Sequence, residues 1–461
     1  MNNVSSRVMS QAMNDERIHL FSSLPMRVAR ILCLPILAAA VTACNGLLDV
    51  SDPTKIQAGD IANSAGASGL YATAMMNFQN GLISAASVSS LFADERTYEI
   101  PSVPNPAYSD RDIDFDRRDG GAYETNATTN GFSDPFLADL DQAIGPISVA
   151  IRAMRLYGDS ATKDNFLGEL FAARGTIILQ IAQDVCSGFP INDIDDRNLP
   201  VYSLPYTTDS AAAYAVTQLD SALAHATSDQ LVNFARVVKG RALLELGQWS
   251  AAAAAVQAVP DDFVYATYSD VGNPFWSYDI TGGGRPVSDT EGINGLPFVS
   301  AHDPRVLTEY KAQRFLQPDD SLYDQAKYSS YSDPMPIATG VEARLIQAEA
   351  ALHTATADST VSILNALRAT VPGLDPLETQ STLDDQVNQV YYERAFWLWL
   401  TGRRLSDLRR LVRLYNRTPD SVYPKGAYWI GGTYGTSTAI PFVLATNKQF
   451  NAHITSGCIT P

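Results

Sequence analysis

The chain has 461 residues, ordinary apolar content and a formal net charge of −17. Such acidity repels phosphate backbones, and no basic cluster with interleaved aromatics offsets it, so nucleic acid is excluded as a partner. The length exceeds the usual size of one hydrophobic core, which leaves a large single unit or a few intergrown ones.

The first element is a leader. Arg27 and Arg30 form a basic n-region, Ile31 to Ala43 is an apolar run, and small residues precede Cys44. That run is too short to span a bilayer and carries Pro35 in its middle, which argues against a membrane helix. A secretory signal whose cleavage site holds a cysteine is the pattern of a bacterial lipoprotein. Residues 1–43 are therefore expected to be removed and Cys44 to take the lipid, palmitate or a similar acyl chain. Several acyl chains on one residue anchor a protein firmly without any spanning helix. Residues 1–25 fit no n-region, so Met26 is the expected true start. The leader holds four arginines (Arg7, Arg17, Arg27, Arg30) against Asp15 and Glu16, so its loss takes the net charge from −17 to −19.

Residues 44–69 read as anchor and tether, with Leu47, Leu48 and Val50 as a docking patch, and 70–461 as one intergrown domain. No later segment is apolar enough to cross a bilayer. With Cys44 lipidated, Cys186 and Cys458 are an even pair in an exported chain. A bond between them would pin the last residues onto the middle of the chain; two free buried thiols are the alternative.

Downstream, apolar residues recur at helix spacing in paired stretches. The first pair covers Leu137–Tyr157 and Asn165–Val185. Ala215, Leu219, Ala222 and Leu223 mark the next face, followed by Leu231, Phe234, Val238, Ala242 and Leu246 up to Gly247. Gly247-Gln248-Trp249 then opens into Ala251–Ala255, the way a tetratricopeptide repeat packs its second helix on its first. Similar spacing recurs at Val341–Leu352 with Val361–Val371, and at Leu383–Thr401 with Arg404–Tyr415, broken at Gly402. The fold class expected is mainly α, with degenerate tetratricopeptide-like hairpins scaffolding long irregular loops at about 95–135, 186–208, 260–335 and 415–461.

Several residue sets in this order resemble the SusD/RagB family of outer-membrane nutrient-binding lipoproteins. They are Cys44-Asn45-Gly46-Leu47-Leu48-Asp49-Val50, Asp303-Pro304-Arg305, Glu342 to Ala350, and Glu393-Arg394 continuing through Gly402-Arg403-Arg404 to Asp407-Leu408-Arg409. The resemblance spans nearly the whole chain after Cys44. It implies a non-enzymatic, lipid-anchored protein at the cell surface. Such a protein sits as a lid on a TonB-dependent β-barrel transporter and captures oligosaccharide. A peptide or other nutrient in the same complex, or a helical-repeat interaction scaffold, stays open as an alternative.

Chemistry is sparse. Glu393, Arg403, Arg404 and Asp407 flank the Gly402 turn and are expected to pair with one another, since half-buried charges need partners. The acids of Asp110–Asp116 lack the glycine and the twelfth-position ligand of a calcium loop, and Asp193–Arg197 reads as a solvated loop with internal Asp–Arg pairs. The histidines His225, His302, His353 and His453 have no metal-ligand spacing, and no nucleophile elbow is present, so neither metal nor cofactor is expected. Loop aromatics remain. Phe275, Trp276 and Tyr278 precede the glycine run Gly282–Gly284, and Tyr428, Trp429 and Tyr434 lie among glycines near the C-terminus. Sugar rings lie flat on aromatic faces, and loops on a rigid scaffold concentrate binding residues, so Trp276, Tyr278, Tyr428, Trp429 and Tyr434 are the candidate ligand contacts.

Overall fold

The computed structural model describes residues 62–98, 118, 135–268, 272–276, 285–314, 317–429, 431–442 and 451–459. All of them fall in the compact unit Gly59–Pro461. The lipidation candidate Cys44, Tyr278, the Asp110–Asp116 run and Gly282–Gly284 lie outside the described residues.

Helices dominate. In chain order they are α1 (Ser64–Phe92), α2 (Pro135–Tyr157), α3 (Lys163–Asp184), α4 (Thr208–His225), α5 (Asp229–Glu245) and α6 (Trp249–Val256). They continue with α7 (Gly340–Thr354), α8 (Ala357–Arg368), α9 (Leu383–Trp397), α10 (Arg404–Leu414) and the single turn α11 (Pro419–Val422). Local chemistry sets the starts. Asn63, Thr207, Ser228, Thr339, Thr356 and Thr382 are extended residues whose side chains accept from backbone N–H groups of the first turn, donors the helix cannot satisfy itself.

α1 was not foreseen from the residue pattern, and it changes the pairing. α2 packs most extensively along α1, and α3 along α4 rather than α2. The hairpin built on Gly247 therefore joins α5 to α6. Gly247 has φ +65°, and the N–H groups of Gly247 and Gln248 return to the carbonyls of Leu244 and Leu243, closing α5 in the manner of a Schellman cap. α6 then crosses α5 at Gly240, where a Cβ would stand 2.5 Å from Val256 Cγ1. Trp249 opens α6 beside the Gly247 turn. Its ring stacks on His353 at the end of α7, centroids 4.0 Å apart, and meets Tyr415 beyond α10 at 5.9 Å.

Strands are short and antiparallel: β1 (Asp193–Ile194) with β2 (Pro200–Val201), β3 (Val264–Ala266) with β6 (Pro336–Thr339), and β4 (Thr308–Arg314) with β5 (Gln317–Gln325). They lie in the long loops and fold them locally. Cys186 and Cys458 form a disulfide with Cα atoms 5.4 Å apart. It joins the C-terminal residues to the end of α3, where Ile440 pairs with Val185 and Ile459 N donates to Ser187 O. Among the described residues no helix is long and apolar enough to cross a membrane.

Candidate ligand-binding site

The loop 424–434 closes on itself before it does anything else. Ala427 and Thr433 pair, Tyr428 N donates to Gly432 O at 3.1 Å, and Tyr434 N donates to Gly426 O at 3.1 Å. The loop thereby brings Tyr428, Trp429 and Tyr434 together. Tyr428 meets Tyr434 edge-on at 5.2 Å, and both rings are buried, at 3% and 8% exposure, so they hold the loop's shape and present little face to a ligand. Trp429 is half-buried, with the Arg314 guanidinium 4.1 Å from its ring centre. Arg314 is fixed in turn by Asp320 (2.8 Å) and Glu291 (3.2 Å), and Tyr434 OH donates to the other Glu291 oxygen at 3.2 Å. Burial pushes the Glu291 carboxyl up, against the pull of Arg314. One face of Trp429 is thus committed to a cation held by two carboxylates.

Trp276 is differently placed. Asn273 Oδ1 accepts from Phe275 N (3.0 Å) and Trp276 N (3.3 Å), a short capped turn that sends the two rings opposite ways. Phe275 is core, stacked on Tyr328 at 5.5 Å. Trp276 stays half-buried and meets Tyr331 edge-on at 6.0 Å, and Tyr331 is 52% exposed. Trp276 and Tyr331 form an accessible aromatic pair in these loops, as do Tyr310 and Tyr323, edge-on at 6.0 Å with Tyr310 58% exposed. Residue pattern alone missed Tyr331, because it lies 55 positions on, in a serine-rich turn folded by Asp333, whose carboxylate accepts from Ser329 and Ser330.

A cavity of about 240 Å³ opens elsewhere, between α9, α10, α11 and the turn at Asn294–Leu296. Leu296, Leu408, Leu411 and Val422 give it an apolar wall; Asn294, Asn388, Tyr392, Arg404 and Arg417 give it a polar one. No residue signal pointed to it, since its walls come from four separate segments.

The charges around Gly402 are buried, and the ion pairs that Glu393, Arg404 and Asp407 make are not with one another as expected. Glu393 takes Arg305 and Arg368, each at 2.6 Å. Asp407 takes Arg394 (2.8 Å) and Arg410 (2.7 Å), which hold its carboxyl below the usual range despite burial. Arg404 pairs with Asp94 at 3.0 Å, while Arg403 donates to Gln180 Oε1 and Ile337 O. The reason is geometric: Gly402 turns the chain so that α10 faces α1 and α3 as well as α9. Arg305 of the Asp303-Pro304-Arg305 signature also lies between the rings of Phe396 and Trp397, 5.4 and 5.2 Å from their centres, and so ties that loop to α9. These acids are committed to structure, and no group of His, Cys, Asp and Glu among the described residues is arranged to hold a metal.

No protein-family model and no curated protein sequence matches the chain. Solved structures do. A surface glycan-binding protein A from Bacteroides thetaiotaomicron superposes with TM-score 0.61 at 11% identity, covering 87% of this chain and 99% of that one. The chain has the SusD-like fold. A SusD superfamily protein from Bacteroides fragilis gives TM-score 0.59 at 13% identity over 86% and 99% of the two chains. A SusD-like carbohydrate-binding protein from Bacteroides vulgatus gives 0.52 at 14% over 75% and 83%. The hairpin scaffold with its folded loops is thus the SusD-like arrangement.

Proposed function

We propose that this is a non-enzymatic glycan-binding lipoprotein of the SusD/RagB type. Cys44 anchors it to the outer membrane at the cell surface, and it captures oligosaccharide for a TonB-dependent β-barrel transporter. The observation that carries the reading is the SusD-like fold, shared over most of both chains with structures described as glycan- or carbohydrate-binding. The leader and its cysteine support the anchor, and the Trp276–Tyr331 pair supports a sugar platform: an aromatic face gives a pyranose ring apolar contact while neighbouring amides and hydroxyls bond its edge. The pairing of Glu393 and Asp407 with arginines leaves those acids without a proton-transfer role.

The test uses the full chain with a C-terminal tag, extracted from native outer membrane in detergent. A large barrel protein should co-purify, and a glycan panel on that complex should give a binder whose affinity falls about tenfold or more in Trp276→Ala. A folded, extracted protein that brings down no barrel and binds no glycan would overturn the reading in favour of an interaction scaffold. Binding of peptides alone would overturn only the choice of cargo.

A further inference from the structure

We infer that the cavity between α9, α10, α11 and the Asn294–Leu296 turn is a second binding site, for one small neutral hydroxylated ring of monosaccharide size. The choice of ring rests on the glycan-binding reading; the site itself rests on what its walls have left to bond. Arg404, with a side chain 6% exposed, spends Nε and Nη2 on Asp94 at 3.0 and 3.5 Å, and Nη1 is the donor left over beside the cavity. Asn388 accepts from Arg417 Nη2 through Oδ1 at 3.1 Å, which leaves its Nδ2 as a donor. Asn294 is the reverse case. Its Nδ2 donates to Asp420 O (2.7 Å) and Tyr423 O (2.9 Å), which leaves Oδ1 as an acceptor. The Tyr392 hydroxyl bonds no described residue, and burial and the nearby Asp303 keep it protonated.

Three donors and an acceptor thus share the lining with Leu296, Leu408, Leu411 and Val422. That is the complement of a molecule with one apolar face and hydroxyls around its rim. Charge decides against the other classes. Arg404 and Arg417 already hold Asp94 and Asp384, so a full anion would find no unmatched cation and would meet a chain of net charge −17. A cation would find no carboxylate in the lining. The volume of about 240 Å³ lies below the range of roughly 300–1,000 Å³ typical of drug-sized pockets, which fits one ring and not a chain of them.

The full-length detergent-solubilised protein separates this site from the loop platform. Glucose, galactose, mannose and N-acetylglucosamine are titrated by calorimetry at up to millimolar concentration, alongside the glycan panel. Ser421 is exposed on the cavity wall, so Ser421→Trp blocks the cavity without touching the core. Tyr392→Phe removes only the hydroxyl. The expected result is that one monosaccharide binds, that Ser421→Trp weakens it about tenfold or more, that Tyr392→Phe weakens it less, and that Trp276→Ala leaves it unchanged. Monosaccharide binding lost in Trp276→Ala and kept in Ser421→Trp would overturn the second site while leaving the glycan reading intact. So would a panel in which only oligosaccharides bind, through Trp276. Binding of no sugar of any length would overturn both.

Discussion

Replacing Arg410 by methionine removes one charge from the centre of the molecule while keeping the length of the side chain. Arg410 is fully buried and bonds three carboxylates: Glu349 at 2.9 and 3.0 Å, Glu245 at 2.8 Å and Asp407 at 2.7 Å. The other cations in contact with those acids are Arg394 and Arg413, the latter shared with the exposed Asp209, so three cations meet three buried anions, and the variant leaves two against three. Breaking a buried ion pair from one side costs about 3–5 kcal/mol, because the remaining charge has neither water nor partner. For a chain of this size the unfolding entropy is about 0.8 kcal/mol per kelvin, so the melting temperature should fall by about 4–6 °C. The sign of the pH effect is a second readout. With two cations against three acids, the buried cluster as a whole holds a proton more readily folded than unfolded. The deficit is therefore small near the unfolded carboxylate pKa and grows as pH rises towards 8. Adding Glu349→Gln restores the charge balance, and the double variant should regain much of the loss at pH 8. Thermal unfolding of wild type, Arg410→Met and the double variant at pH 5 and pH 8 decides it. A single variant as stable as wild type at pH 8, or a deficit that does not change with pH, would refute the reasoning.

Asp184 offers the opposite sign. Its one described side-chain bond is from Gln180 Nε2 at 2.7 Å, and burial pushes its pKa up to about 7, so it destabilises the fold increasingly from about pH 4 to pH 7. Asp184→Asn should stabilise the protein at pH 8 and change little at pH 4, read by denaturant midpoints at the two pH values. Gly240→Ala places a methyl 2.5 Å from Val256 Cγ1 and 3.3 Å from Ile346 Cδ1, and should cost about 1–3 kcal/mol. Val256→Ala in that background should return part of the loss. Cys458→Ser opens a link that spans 272 residues of sequence and should lower stability by up to about 5 kcal/mol under oxidising conditions. Added reductant should lower wild type to the same level.

Helices with one wet face were legible, and so was α3, which is buried almost all round but carries large apolar residues such as Leu167, Leu170, Phe171, Ile177 and Ile181. α4 and α8 each bury a stripe and show the rest to water, so helix spacing reveals them, whereas α10 is buried from Arg404 through Leu411 and α5 from Gly240 through Glu245. α1 hid because its second half is buried on every side: Leu82, Ile83, Ala85, Ala86, Ser87, Val88, Ser89 and Ser90 run on without a polar face. Unlike α3, this stretch is rich in alanine and serine, so no strong apolar period stands out. The β4–β5 hairpin hid for the opposite reason, since most of β4 is exposed and its sequence Thr-Glu-Tyr-Lys-Ala-Gln-Arg alternates nothing apolar. The charges showed their type and burial but not their partners. Glu393 finds Arg305 across 88 positions, and Arg404 finds Asp94 across 310, separations at which spacing carries no information. The loop aromatics divided on the same principle: Trp276 kept an open surface because its turn is short and capped, while Tyr428 and Tyr434 were drawn inward by a loop that bonds itself.

The buried charges also bear on the cargo. Ten arginines and nine acids are buried among the described residues: Arg96, Arg118, Arg241, Arg285, Arg314, Arg394, Arg403, Arg404, Arg409 and Arg410 against Asp94, Glu95, Glu169, Asp184, Glu245, Glu342, Glu349, Glu393 and Asp407. By formal count the buried set is close to neutral, although burial pushes Glu95 up to about 8 and Asp184 up to about 7, and the planar fork of arginine suits it to carboxylates presented by several helices at once. Since the chain has 33 basic and 50 acidic residues, its acid excess lies outside that buried set. An approaching anion is repelled by such a surface, a free cation is drawn to it without regard to site, and a neutral glycan is left to be selected by shape and hydrogen bonds alone. Electrostatics then sets an expectation the glycan panel can measure. Binding of a neutral oligosaccharide should be nearly indifferent to salt between low and physiological ionic strength, whereas binding of a uronic-acid or sulfated glycan should strengthen as salt screens the repulsion. A neutral binder whose affinity falls steeply with added salt would place a charge contact at the site and contradict the selection argued from these residues.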